Sequence, residues 1–247
     1  MKLKLHNTLS GALREFEPII PGEAKLYHCG PTVYDYAHVG NLRSYVFADI
    51  LRRALEYSGL DVIQVINITD IGHLTSDADT GDDKMVKGLK REDLPLTLEG
   101  LKTLADKYEE AFKHDLKALN IETPHHFPRA TEYLEQEKEL IKKIFGNGFA
   151  YQLKDGIYFD TMEFKKNHRY GRLGGLSAPD TETRTRIHHV GQDRWHRHDF
   201  VLWKLSQDNH IGFPSDWGVG FPGWHIECSA MSKELLGQPF DIHTGGI

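Results

Sequence analysis

The sequence predicts an α/β protein: a doubly wound parallel sheet with an α+β segment inserted in its middle. Three observations predict it. Residues 25–29 (KLYHC) form a short apolar strand that Gly30-Pro31-Thr32 breaks into a turn. From about Asn41, Leu42, Val46, Ile50, Ala54 and Tyr57 recur at helical spacing on one face, and Gly59 closes the helix. Residues 62–68 (VIQVINI) are short and β-branched, as a buried parallel strand requires. Strand, turn, helix and strand make a βαβ unit, whose ligands sit beyond the carboxyl ends of the strands. That geometry places residues 29–41 and Thr69 near one another.

A long helix follows, with Leu98, Leu101, Ala105, Tyr108, Phe112, Leu116 and Leu119 in strict helical spacing. Pro124 and Pro128 interrupt it, and residues 134–145 predict a further helix ending at Gly146-Asn147-Gly148. Residues 149–160 (FAYQLKDGIYFD) predict a β-hairpin, because Asp155-Gly156 suits a type I′ turn between two apolar strands. Residues 199–204 (DFVLWK) and 240–243 (FDIH) predict strands that return the chain to the first sheet. The expected organisation is a first half of the sheet domain over 1–119, a connective insertion over 120–198, and the start of the second half over 199–247.

Hydrophobic residues at 39% and charged residues at 27% are those of a soluble globular chain. The N-terminal residues contain no signal-peptide run, and no stretch approaches a membrane span, so no membrane partner is expected. Two cysteines without CxxC spacing point to a reducing, cytoplasmic setting. A formal net charge of −6 excludes a surface that is basic throughout, so any nucleic acid must be held by a local patch or another segment.

The strongest local feature is His38-Val39-Gly40-Asn41 at the start of the first helix. Helix N-termini offer unpaired N–H groups and the positive dipole end to phosphate. Gly40 lets a base or ribose approach the backbone, and His38 and Asn41 can donate to a phosphate whose charge grows in a transition state. The same four residues read equally well as a helix cap with a surface histidine. Cys29 and Cys228, 199 positions apart, read from spacing alone more often as buried small hydrophobes than as metal ligands.

Residues 29–35 (CGPTVYD) followed by His38-Val39-Gly40-Asn41 resemble the opening of cysteinyl-tRNA synthetases, the last four matching the HIGH signature of class I synthetases. Residues 67–70 (NITD), 199–204 (DFVLWK), 223–231 (GWHIECSAM) and 240–243 (FDIH) resemble the same family in the same order. The resemblance implies a Rossmann-type catalytic domain that activates L-cysteine with ATP and Mg²⁺ and passes it to tRNA(Cys). It implies that Pro31, Thr32, His38, Gly40 and Asn41 bind ATP, with His38 and Asn41 catalytic. It implies that Gly30, Thr69, Trp224 and His243 bind cysteine, and that Cys29 and Cys228 bind Zn²⁺, which prefers thiolate to hydroxyl. The family's remaining two zinc ligands, its KMSKS loop and its anticodon-binding domain all lie beyond the position matching Ile247. The resemblance therefore implies a truncated chain, probed for activity by cysteine-dependent ATP–pyrophosphate exchange and expected to show at most a trace.

Two other stretches need weighing. Residues 77–83 hint at a calcium loop, but glycine falls at position five instead of six, and Gly88 stands at position twelve where glutamate is needed. They read as a solvated acidic loop. Residues 184–198, with four arginines and four histidines, read as an exposed polar loop before a tRNA or metal contact. Three alternatives stand beside the main reading: a cysteine ligase of mycothiol biosynthesis on the same scaffold, a HIGH-type nucleotidylyltransferase, and a non-catalytic ligand-binding fragment.

Overall fold

The computed structural model describes residues 3–71, 84–173, 187–189, 192–196, 198–206 and 211–245. The chain opens on an antiparallel hairpin, β1 (Lys4–Asn7) and β2 (Ala12–Glu15), largely exposed. The predicted βαβ unit follows as β3 (Glu23–His28), α1 (Val39–Tyr57) and β4 (Asp61–Ile66), with β3 and β4 parallel and in register from Glu23↔Asp61 to His28↔Ile66. Tyr27, Val65 and Ile66 are buried between the layers, as β-branched and aromatic residues in a two-sided strand should be.

The buried face of α1 differs from the predicted one. Leu42 and Val46 do pack, but Ile50 is 60% and Tyr57 88% exposed; the buried face carries Tyr45, Ala48, Leu51 and Leu55. Two charged residues on that face explain the rotation. Asp49 accepts from the Glu122 backbone at 2.9 Å, and Arg52 donates to the Thr123 carbonyl at 2.9 Å, so α1 turns its paired charges inward to hold the 120–123 segment. A count of apolar spacing skips such residues.

Next come α2 (Lys84–Arg91) and α3 (Leu98–Ala118). The α3 stripe is as predicted from Leu101 to Leu116, while the end residues Leu98 and Leu119 are exposed. The acidic stretch 77–83 lies outside the described residues. A one-turn helix at Ala130–Tyr133 leads into α4 (Leu134–Gly146), the helix expected over 134–145.

The hairpin is present as β5 (Ala150–Leu153) and β6 (Gly156–Phe159), but its turn is Lys154-Asp155, one residue earlier than expected. Neither residue takes the positive φ of a type I′ turn. Gly156 serves packing instead: a Cβ there would lie 2.4 Å from the Trp203 carbonyl oxygen. A short helix α5 (Thr161–Lys165) and a second small hairpin, β7 (Ile187–His189) with β8 (Gln192–Arg194), follow. So the described part of 184–198 is not simply an exposed loop: Trp195 stacks on Tyr151 at 4.0 Å between ring centroids, and His196 is buried.

β9 (Phe200–Leu205) does not return to the first sheet as predicted. It pairs antiparallel with β6 and with β10 (Gly220–Pro222), giving a second sheet of order β10-β9-β6-β5. The register accounts for it, because β9 places fully buried Trp203 opposite Ile157 in a core shared with Ile141, Leu202 and Ile226. Among the described residues only β11 (Ile242–Thr244) rejoins the first sheet, parallel to β3, after α6 (Trp224–Leu236) crosses over; the order there is β11-β3-β4. Among the described residues no helix is long and apolar enough to cross a membrane.

Candidate active site

Because β11, β3 and β4 are parallel, their carboxyl ends lie together, and the chemistry-bearing residues gather there. The chain extends past β3 and β4 through a parallel bridge, Thr32↔Thr69, with the Thr69 N–H donating to the Pro31 carbonyl and the Val33 N–H to the Thr69 carbonyl, both at 3.0 Å. The Cys29 N–H donates to the Thr244 carbonyl at 3.1 Å, tying in the end of β11. This backbone frame brings Cys29, Gly30, Thr69 and His243 to one edge, as the βαβ reading predicted for residues 29–41 and Thr69.

α6 contributes the second thiol. Cys228 Sγ stands 3.9 Å from Cys29 Sγ with no bond between them, and His243 Nε2 stands 3.5 Å from Cys29 Sγ. The Cys228 contact is the largest influence on Cys29, and with His243 it holds the Cys29 thiol down to about 5, against burial. The same contact, reinforced by burial, pushes Cys228 up. Trp224, at the first turn of α6, is half-buried, and the Lys84 ammonium lies 4.2 Å from its ring centroid.

Gly30 is required by its contacts: a Cβ there would fall 1.5 Å from the Asn67 carbonyl oxygen. The Gly30 N–H donates to Asn67 Oδ1 at 2.9 Å, and Cys228 Sγ lies 3.7 Å from the same oxygen. Asn67 Nδ2 donates to Thr69 Oγ1 at 3.3 Å, and the Thr69 hydroxyl donates to Glu227 Oε2 at 3.1 Å. Burial pushes the Glu227 carboxyl well above its ordinary range, and nearby Asp70 adds to the effect. Asn67 and Glu227 lie inside the NITD and GWHIECSAM stretches, yet sequence reasoning gave them no role; neither type signals a site without its partners.

His38 and Asn41 form a reciprocal cap at the start of α1. Asn41 N–H donates to His38 Nδ1 and His38 N–H donates to Asn41 Oδ1, each at 3.2 Å. The helix-cap reading is therefore correct in geometry, and it does not exclude the other. The cap uses Nδ1 and Oδ1, so the groups left to meet a ligand are the donors Nε2–H of His38 and Nδ2–H₂ of Asn41. His38, Gly40 and Asn41 are all exposed. An N-terminus with outward donors and no acidic residue in its first turn is suited to phosphate.

The two thiols also fit a metal. Two sulfurs on one tetrahedral zinc at about 2.3 Å each stand roughly 3.8 Å apart, and the observed separation is 3.9 Å. Among the described residues, however, no group of three or more His, Cys, Asp or Glu side chains is arranged to hold a metal ion. Cys29 and Cys228 are thus a pair of thiols at a spacing a metal could bridge, and not a ligand set among the described residues.

A βαβ-based parallel sheet with a His-X-Gly-Asn helix start at its carboxyl edge fits the class I tRNA synthetase catalytic fold. The solved structure of Mycobacterium tuberculosis methionyl-tRNA synthetase in complex with methionyl-adenylate shares that fold, with a TM-score of 0.62 over 91% of this chain and 51% of that one, at 16% identity. The family model described as tRNA synthetases class I (C) catalytic domain matches residues 15–247, and the chain belongs to that family. Its curated relatives include the cysteine–tRNA ligase of Treponema denticola, 47% identical over 100% of this chain and 49% of that protein. Those of Burkholderia lata (46% identical, 100% and 51%) and Pyrococcus horikoshii (40%, 100% and 48%) match over the same extent. The chain spans about half the length of the curated relatives it matches.

Proposed function

We propose that this chain supplies the ATP- and cysteine-binding part of a cytoplasmic cysteine–tRNA ligase, which activates L-cysteine with ATP and transfers it to tRNA(Cys). One observation carries the reading: two unbonded thiols 3.9 Å apart at the carboxyl edge of a class I sheet, with His243 beside Cys29 and Asn67 linking Cys228 to Thr69. A pocket for a small amino acid gains little discrimination from shape. Zinc held through Cys29 and Cys228 would supply a soft Lewis acid that takes thiolate in preference to hydroxyl.

The protein's residues do the rest by position. Gly30 and Thr69 frame the amino acid from the strand ends, with the half-buried Trp224 as an apolar wall and His243 above Cys29. Pro31, Thr32 and Gly40 carry the nucleotide along the turn into α1. His38 Nε2–H and Asn41 Nδ2–H₂ face the α-phosphate as the cysteine carboxylate attacks it and pyrophosphate leaves, with Mg²⁺ travelling on the ATP. No protein nucleophile is needed.

Cysteine-dependent ATP–pyrophosphate exchange by the whole protein tests the reading: serine should not support it. His38→Ala should lower the rate about 10²–10³-fold without changing the melting temperature by more than the loss of a helix cap. An unchanged rate removes His38 from catalysis, and exchange driven equally by serine removes the thiol pocket.

A further inference from the structure

We infer that Asn67, anchored by Glu227, is the positioning residue that sets the polarity of the amino-acid subsite. The inference rests on the reading of Gly30 and Thr69 as part of that subsite. Asn67 is 1% exposed, sits just past the end of β4, and meets three site residues at once. Its contacts leave no choice of orientation. The Gly30 backbone N–H can only donate, so the oxygen of the Asn67 amide must face it, at 2.9 Å. The amide nitrogen then faces Thr69 Oγ1, at 3.3 Å, and that hydroxyl must accept. Its one proton goes to Glu227 Oε2, at 3.1 Å.

The consequence is chemical. A hydroxyl has one proton and two lone pairs. With the proton committed to Glu227 and one lone pair to Asn67, Thr69 has only an acceptor left for a ligand. The subsite beside Cys29 is thus poised to receive a donor group on the substrate, as an α-ammonium is, and not a carboxylate. Glu227 belongs to α6 and Asn67 follows β4, so the relay also fixes α6, with Cys228 on it, relative to the Gly30 turn. Neither residue touches the substrate in this arrangement. Both act through Thr69, Gly30 and Cys228.

The test is the preference for cysteine over 3-mercaptopropionate, which keeps the thiol and carboxylate but lacks the amine, measured by equilibrium binding to the protein. Asn67→Asp keeps the oxygen toward Gly30 but replaces the donor facing Thr69 with an acceptor, so the Thr69 hydroxyl turns from Glu227 toward it. The preference should fall about tenfold or more, the size of a hydrogen bond to a charged group, chiefly through weaker cysteine binding. Glu227→Gln, of nearly the same volume, should lower it in the same direction, and melting curves verify that both variants fold. A residue that merely supports the fold would weaken both ligands alike, so an unchanged preference in folded variants overturns the proposal. Failure of the wild-type protein to bind cysteine at all would instead overturn the subsite reading on which it rests.

Discussion

At the carboxyl edge of the parallel sheet, Cys29 is half-buried and His243 exposed; in the antiparallel sheet, Asp199 is 1% exposed and its oxygens are enclosed by donors. Asp199 accepts from the Tyr151 hydroxyl at 2.8 Å, the Thr161 N–H at 2.9 Å, the Thr161 hydroxyl at 2.6 Å and the His196 N–H at 3.0 Å. The same types of side chain are spent on structure in one sheet and presented at strand ends in the other. Glycine divides likewise. Gly30 lets the turn after β3 lie against Asn67, whereas Gly156 lets β6 lie against the backbone of Trp203. Residue type alone does not mark a site; what decides is whether the fold consumes the group's hydrogen-bonding capacity.

The comparison breaks if changes in the antiparallel sheet act mainly on ligand binding. The largest expected effect is Trp203→Ala. The indole is fully buried between Ile157, Leu202 and the tilted Trp217 ring, and its loss should cost about 3–5 kcal/mol in denaturant melts. Below its melting temperature the variant should bind cysteine as the unsubstituted protein does. A loss of cysteine affinity without a loss of stability would make the second sheet part of the site.

Asp199→Asn comes next. The amide nitrogen would face donors where an oxygen now accepts, so at least two charge-assisted bonds are lost, about 3 kcal/mol together at the low end of their range. Thermal melts measure it, and a shift no larger than that of an exposed aspartate would show that the Tyr151–Thr161–His196 cluster is not held by this carboxylate.

The fold was legible where periodicity is local. The βαβ unit, α3 and α4 follow from spacing and breakers, and the HxGN turn falls where a strand-to-helix connection places it. Partnership between distant strands was not legible. β9 and the FDIH strand have similar apolar patterns, and only the burial of Trp203 against β6 sends the first to the other sheet. Asp49 and Arg52 rotated α1 against its apolar count because ion pairs can be buried when satisfied. At the site, both cysteines were legible through the family's motifs. Asn67 and Glu227 were not, since their meaning lies in contacts 37 and 158 residues away.

The smallest expected effect sharpens the comparison where the two regions meet. Glu137 on α4 is fully buried, neither of its carboxylate oxygens has a hydrogen-bond partner among the described residues, and Glu227 and Asp70 lie close enough to repel its charge. Burial first, and those two carboxylates next, hold its proton well above the ordinary value of 4.5, with only Lys138 acting the other way. The folded protein therefore keeps a proton that the unfolded chain releases above that value. The stability this group contributes is complete below about pH 4.5 and declines as pH rises toward the folded value. Glu137→Gln carries no such proton, so the melting temperature of the unsubstituted protein should drop relative to the variant as pH is raised from 4.5 to neutrality, and the slope of that difference should vanish below it. A difference independent of pH would mean that Glu137 is ionised in the fold and that α4 faces Glu227 and Asp70 with a charge, not with a protonated carboxyl.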